Sequence, residues 1–204
     1  MQAKSRTFHV FPEIARAARG CGAMAAAIVA VFMVLAPMPV SAQLFEESAI
    51  ILAIRSGVIE RVEEQFLAGY SANERSAKGE TALIEAVRTG RKPLVELLLD
   101  RGARVNVAAT RTNLTALEEA TRLNRADLAQ LLVDAGADVD KAGTGGETPV
   151  MIAAKQGQTE ILEILIEANA YLNDTDSTGR TPLMLARERR HRAAVALLEA
   201  SGAE

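Results

Sequence analysis

At 204 residues the chain has room for one or two domains, and its formal net charge of −3 argues against wholesale nucleic-acid binding. Aromatic residues make up 3% of it and tryptophan is absent, which argues against an aromatic-lined ligand cavity and suits helices built on Ala and Leu. Cys21 is the single cysteine, so no intrachain disulfide can form.

The first forty residues read differently from the rest. Lys4, Arg6, Arg16 and Arg19 face one acid, Glu13, and no charge then occurs between Gly20 and Phe45. The apolar heart, from Ala23 to Ala36, is followed by Pro37 and Pro39 and by the small-residue exit Val40-Ser41-Ala42. A basic start, a short apolar run and such an exit predict a secretory signal over 1–42, cleaved after Ala42 so that the mature chain begins at Gln43. A spanning helix needs about 20 apolar residues, more than this run supplies. If retained, the same segment would tether the protein to a membrane. Cys21 precedes the apolar run, whereas a lipidated cysteine follows it. Removing 1–42 leaves 19 basic against 25 acidic residues, a mature net charge of −6. An exported chain without cysteine fits a bacterial periplasm, and the expected location is periplasmic or secreted.

From residue 46 onward the sequence repeats. A worn copy, Ser48-Ala-Ile-Ile-Leu-Ala53, is followed by Gly79-Glu-Thr-Ala-Leu-Ile-Glu-Ala86, Asn113-Leu-Thr-Ala-Leu-Glu-Glu-Ala120, Gly146-Glu-Thr-Pro-Val-Met-Ile-Ala153 and Gly179-Arg-Thr-Pro-Leu-Met-Leu-Ala186. The hydroxyl residues Ser48, Thr81, Thr115, Thr148 and Thr181 are spaced by 33, 34, 33 and 33 residues. Each is expected to cap a short helix, with Pro149 and Pro182 at the first helical position, where a missing N–H costs nothing. Thr115 and Glu118 have the spacing of a capping box. Gly57, Gly90 and Gly157 then break the first helix, with Asn124 and Arg190 standing in for glycine in the third and fifth copies. A second, denser apolar helix follows in each copy, typified by Leu94, Val95, Leu97, Leu98 and Leu99, and stops at Gly69, Gly102, Gly136, Asn169 or Gly202.

Together these segments resemble the ankyrin pattern, T-P-L-x-x-A, then G, then V-x-L-L-L-x-x-G-A-x-x-N, over about residues 46–204. The resemblance implies an all-α solenoid of about five helix-turn-helix repeats with short β-hairpin fingers. The repeats fall at about 46–78, 79–111, 113–145, 146–178 and 179–204 within a domain of 43–204. One helix pair cannot hide both its faces from water, so stacked neighbours must share a core. The first copy departs most from the pattern, and the fifth runs into the polar stretch Arg187 to Arg192, as terminal units meeting water should. Where the family has His after Thr-Pro-Leu, this chain has Ile51, Ile84, Glu118, Met151 and Met184, so fewer loop-to-loop hydrogen bonds are expected.

No constellation points to catalysis. The mature chain has one histidine, His191, inside the charged run Arg187 to Arg192, and no cluster has zinc spacing. Asp174-x-Asp176-x-Thr178-Gly179 has the opening of a calcium loop, but Leu185 stands where the bidentate Glu belongs. A finger-loop calcium or ligand module is therefore only an alternative, and the expectation is a non-enzyme without cofactor or metal.

The resemblance implies that a protein partner is bound on the concave face and finger tips, most simply by a monomer. The membrane is involved only if the signal is retained. The eighth residue of the motif, counted from the capping hydroxyl, is Arg55, Arg88, Arg122 and Lys155 in four successive repeats and Glu188 in the fifth. This predicts a ladder of cations facing an acidic strip on the partner. Glu85, Thr89, Glu119, Leu123, Ile152 and Gln156 beside it are expected to supply selectivity.

Overall fold

The computed structural model describes residues 47–204; the signal sequence expected over 1–42 and the expected cleavage after Ala42 lie outside the described residues. Ten α-helices follow one another in pairs among the described residues. They are α1 (Ala49–Ser56) and α2 (Ile59–Leu67), α3 (Ala82–Thr89) and α4 (Lys92–Asp100), then α5 (Ala116–Arg122) and α6 (Ala126–Asp134). After a 3-10 turn at Thr144–Gly146 come α7 (Pro149–Gln156) and α8 (Thr159–Glu167), and last α9 (Pro182–Glu188) and α10 (Arg192–Ala200).

The odd-numbered helices pack on one another in an inner row, α1 on α3, α3 on α5, α5 on α7 and α7 on α9. An outer row runs α4, α6, α8, α10. Inner helices are covered nearly all round: every residue from Ala82 to Val87 in α3 is buried. Outer helices bury one stripe, Leu94, Val95 and Leu98 in α4 and Leu128, Ala129 and Leu132 in α6. These side chains join a single core running from Ile50 to Ala203. A buried Leu contributes about 1.5–3 kcal/mol, so each repeat depends on the neighbours that cover it.

The capping residues behave as their chemistry requires, with one exception. Thr81, Thr115, Thr148 and Thr181 each accept the backbone N–H three residues on. Glu118 returns a carboxylate oxygen to the Thr115 N–H at 2.7 Å, completing the capping box. At Thr148 the sulfur of Met151 takes that place as a weak acceptor at 3.5 Å. Ser48 makes no such bond, and its buried hydroxyl is left without a partner. The helix-pair turns use the left-handed backbone, and at Asn124 and Arg190 the chain adopts φ of 54° and 62° without glycine.

The fingers are tighter than the hairpins expected from the repeat pattern. No strand forms among the described residues; one isolated bridge pairs Arg75 with Thr81. Each finger is instead a tight turn whose ends are joined by a backbone bond, Ser76 N to Glu80 O (2.8 Å), Ala109 N to Leu114 O (2.8 Å), Gly143 N to Glu147 O (3.1 Å) and Asp176 N to Arg180 O (3.0 Å). Among these four a second rung forms in the first finger, Ala82 N to Glu74 O (2.9 Å), whereas in the last two Pro149 and Pro182 stand at the position of Ala82 and have no N–H to donate.

Loop-to-loop bonding does not vanish with the missing histidines. Asn73 Oδ1 accepts from Arg104 N (2.9 Å), and Asn106 Oδ1 from Asp138 N (2.8 Å). Asp140 Oδ1 accepts from Tyr171 N (2.7 Å), and Asn173 Oδ1 from Glu204 N (2.8 Å). Asn73 and Asn106 also donate to the carbonyls of Gly102 and Gly136, both at 3.0 Å. The last residue of the repeat pattern thus stitches each outer turn to the next.

Candidate functional site

The ends of the inner helices form the varied face of the array. Positions eight and nine of the motif are at least partly exposed in every repeat: Arg55 and Ser56, Arg88 and Thr89, Arg122 and Leu123, Lys155 and Gln156, Glu188 and Arg189. Position five is exposed at Leu52 but covered at Glu85, Glu119, Ile152 and Leu185. A helix places residues four apart on one face, so position five lies beneath position nine.

Of the residues expected to touch a partner, Arg55, Arg88, Arg122, Leu123 and Gln156 are exposed, and Thr89 and Lys155 are half-buried. Ile152 is 2% exposed and belongs to the buried interior. Glu85 and Glu119 are also covered, and both are spent on neighbouring arginines.

The cations of the ladder are mostly paired. Arg55 forks onto Glu85 of the next repeat, Nη2 to Oε1 at 2.6 Å and Nε to Oε2 at 3.2 Å. Its Nη1 reaches back to Glu47 at 2.8 Å. Arg88 repeats the arrangement on Glu119 (2.7 Å) and, more loosely, Glu80 (3.5 Å). Lys155 keeps one acid, Glu147 at 2.6 Å. The fifth repeat reverses the signs, with Arg180 in the place of the glutamate and Glu188 in that of the cation, 3.3 Å apart.

Arg122 has none of these partners. Leu114 occupies the place of Glu47, Glu80 and Glu147, and Ile152 that of Glu85 and Glu119. The acid four residues earlier, Glu118, is turned under the Thr115 cap. Arg122 therefore has no ion pair among the described residues.

The titrations follow these contacts. The Glu85 hydrogen bond, outweighing burial, drives the Arg55 pKa above its usual value. At Arg88 burial opposes the charge, but Glu119 overcomes it and the pKa again rises. Burial pushes Glu47 upward, yet the Ala77 N–H and Arg55 bring it below the usual range. Burial dominates at Glu118, whose pKa is raised. One carboxylate, Glu47, thus holds both a position-eight cation and the finger amide of Ala77, the latter at 2.9 Å. Helix ends and finger tips meet in one surface.

The Asp174 finger is organised around Asp176, and not as an open ligand loop. Asp176 Oδ1 accepts from the Thr178 hydroxyl (2.6 Å), Thr178 N (2.8 Å) and Arg180 N (3.0 Å). Its Oδ2 takes Arg180 Nη2 and Nε at 2.9 and 3.0 Å. The Thr178 hydroxyl is the largest of the influences that hold this carboxylate well below the usual range. A calcium ion would have to displace Arg180, and no group of three or more His, Cys, Asp or Glu is placed to hold a metal among the described residues. His191 lies at the start of α10 with Nε2 3.2 Å from the Lys155 carbonyl, a contact between repeats. A shallow depression of about 450 Å³ at the last repeat is lined by Arg187, Arg190, Arg192, Val195, Ala196 and Glu199, and Glu199 pairs with Arg187. No helix of the described residues is long and apolar enough to cross a membrane.

Sequence reasoning missed the pairing of the cations with acids: it assigns Glu85 and Glu119 to selectivity and does not single out Glu47, Glu80 and Glu147. These acids stand in the same register, immediately before the capping hydroxyl (Glu47, Glu80, Glu147) and four residues after it (Glu85, Glu119). Reading those two columns beside the cation column would have found the pairs.

A family model described as Ankyrin repeats (3 copies) matches residues 27–109, 50–143 and 117–204, overlapping windows that together take in most of the chain. No curated protein matches it.

Proposed function

The chain belongs to the ankyrin repeat family, and from that premise we propose that it is a non-catalytic scaffold that binds a partner protein through the inner-helix ends and finger tips. One observation carries this reading. Positions eight and nine stay open to solvent in all five repeats while the helices beneath them are buried, giving a continuous strip whose chemistry changes from repeat to repeat. Such a strip offers many weak, individually adjustable contacts and no enclosed reaction chamber.

The basic, apolar and small-residue succession of 1–42 supports export, with the mature scaffold working in the periplasm or outside the cell. N-terminal sequencing of the protein from its producing cells should begin at Gln43, and a start at Met1 would instead favour the tethered form.

Site-specific photocrosslinking tests the binding face. A photoreactive residue at Leu123 is expected to give a discrete adduct in the producing cells, whereas one at Glu163, exposed on outer helix α8, gives none. Adducts from Glu163 alone would move the binding surface to the outer row.

A further inference from the structure

The charge pattern of the strip narrows the partner's chemistry. Resting on the binding face just described, we propose that Arg122 at the middle of the array receives a single carboxylate, an Asp or Glu side chain of the partner, with an apolar neighbour seated on Leu123. The partner segment is not a run of acids.

Three arrangements lead there. First, the paired cations Arg55, Arg88, Lys155 and Arg180 are matched by Glu47, Glu85, Glu80, Glu119, Glu147, Glu188 and Asp176. These cations are already neutralised by acids of the same face, so a polyacidic segment laid along it would find no free countercharge at most repeats. Second, Arg122 keeps its planar fork of donors, because each place from which a neighbour could supply an acid holds Leu114, Ile152 or the cap-bound Glu118. A bidentate guanidinium–carboxylate pair is the geometry such a fork satisfies best. Third, the next residue, Leu123, is 45% exposed, whereas position nine in the two preceding repeats is a hydroxyl residue turned onto its own helix, Ser56 onto Ala53 O and Thr89 onto Ala86 O. The central repeat alone combines an unpaired cation with an exposed apolar side chain at these two positions.

The test selects a random-peptide phage library on the purified full-length protein and measures the enriched peptides against variants. Enriched sequences should carry one Asp or Glu beside an apolar residue. Their affinity should fall about tenfold or more for Arg122→Met and by less for Arg122→Lys, which keeps charge but loses the fork. Arg101→Met, at an exposed arginine just past the end of outer helix α4 and off the binding face, should change it by less than about threefold. Equal binding to wild type and Arg122→Met overturns the proposal, as does enrichment of acidic runs. Peptides that lose affinity for Leu123→Lys but not for Arg122→Met would leave the binding face standing and remove the carboxylate site. Failure to enrich any peptide sensitive to either position would contradict both. Concentration-dependent dimerisation abolished by Arg122→Met would place a second copy of this chain there and overturn the separate partner. Unfolding midpoints of all variants are taken alongside, so that a loss through misfolding is recognised.

Discussion

Two seams join the repeats, and they are built on opposite principles. Along the outer turns, Asn73, Asn106, Asp140 and Asn173 make the same backbone contact to the following repeat four times over. Along the inner-helix ends the contact changes at every step: two acids on Arg55, two on Arg88, none on Arg122, one on Lys155, and a reversed pair at Glu188. A seam that only holds repeats together can be repeated unchanged. A seam whose charges are redistributed is where this molecule differs from a generic stack, and that is why the binding face is assigned to it.

Variants can break or sharpen this contrast. The largest effect is expected beneath both seams. Leu132→Ala, at a fully buried position of α6, should cost about 2–5 kcal/mol in denaturant unfolding, because neighbouring repeats cannot close the cavity. On the outer seam, Asn106→Ala removes the bond to the Gly136 carbonyl and the acceptor for Asp138 N. These bonds are solvent-exposed, so a loss of about 1 kcal/mol is expected. Smaller again is Glu119→Gln on the inner seam, about 0.5–1 kcal/mol because Arg88 is partly hydrated, and shrinking in molar salt. Arg122→Met should leave stability within about 0.5 kcal/mol of wild type, since no bond is lost.

Acid unfolding sharpens the contrast in another way. Asp176 has a depressed pKa in the folded chain, so its contribution is complete above about pH 4, where it is ionised even unfolded, and is lost as pH falls towards the folded value. Glu47 and Asp127 act in the same direction. Glu118 has the opposite sign: its raised pKa means that ionisation costs stability at neutral pH, a cost relieved as pH falls towards the ordinary carboxylate value. Asp176→Asn should therefore lower the thermal midpoint at pH 7 and flatten its decline below about pH 4. A decline as steep as that of wild type would show that the finger's hydrogen bonds are not what the acid breaks.

The fold was legible because it is local and periodic. The hydroxyls at Thr81, Thr115, Thr148 and Thr181, the glycines at Gly57, Gly90 and Gly157, and the leucines of the second helices fix each unit within a single period. What escaped was the detail set between repeats. Strand pairing in the fingers stays at one or two bonds, since Pro149 and Pro182 carry no N–H at the position where Ala82 donates to Glu74 O. The column of cations was plain in the sequence, but its meaning depended on acids some thirty residues away, and pairing turned a ladder of free charge into a nearly closed lattice with one opening. Ile152 is covered where Leu52, at the same place in the first repeat, is not, because the inner helix of the preceding repeat, α5, packs on α7.

The contrast between the seams is tested most directly by measuring Asn106→Ala and Arg122→Met side by side, each for its unfolding midpoint and for its affinity towards the selected carboxylate peptides. The outcomes should cross: Asn106→Ala loses stability and keeps the peptide, and Arg122→Met keeps stability and loses it. If both variants lose both properties, or if Arg122→Met binds as wild type does, the inner-helix ends are merely a second structural seam and the function lies elsewhere on the molecule.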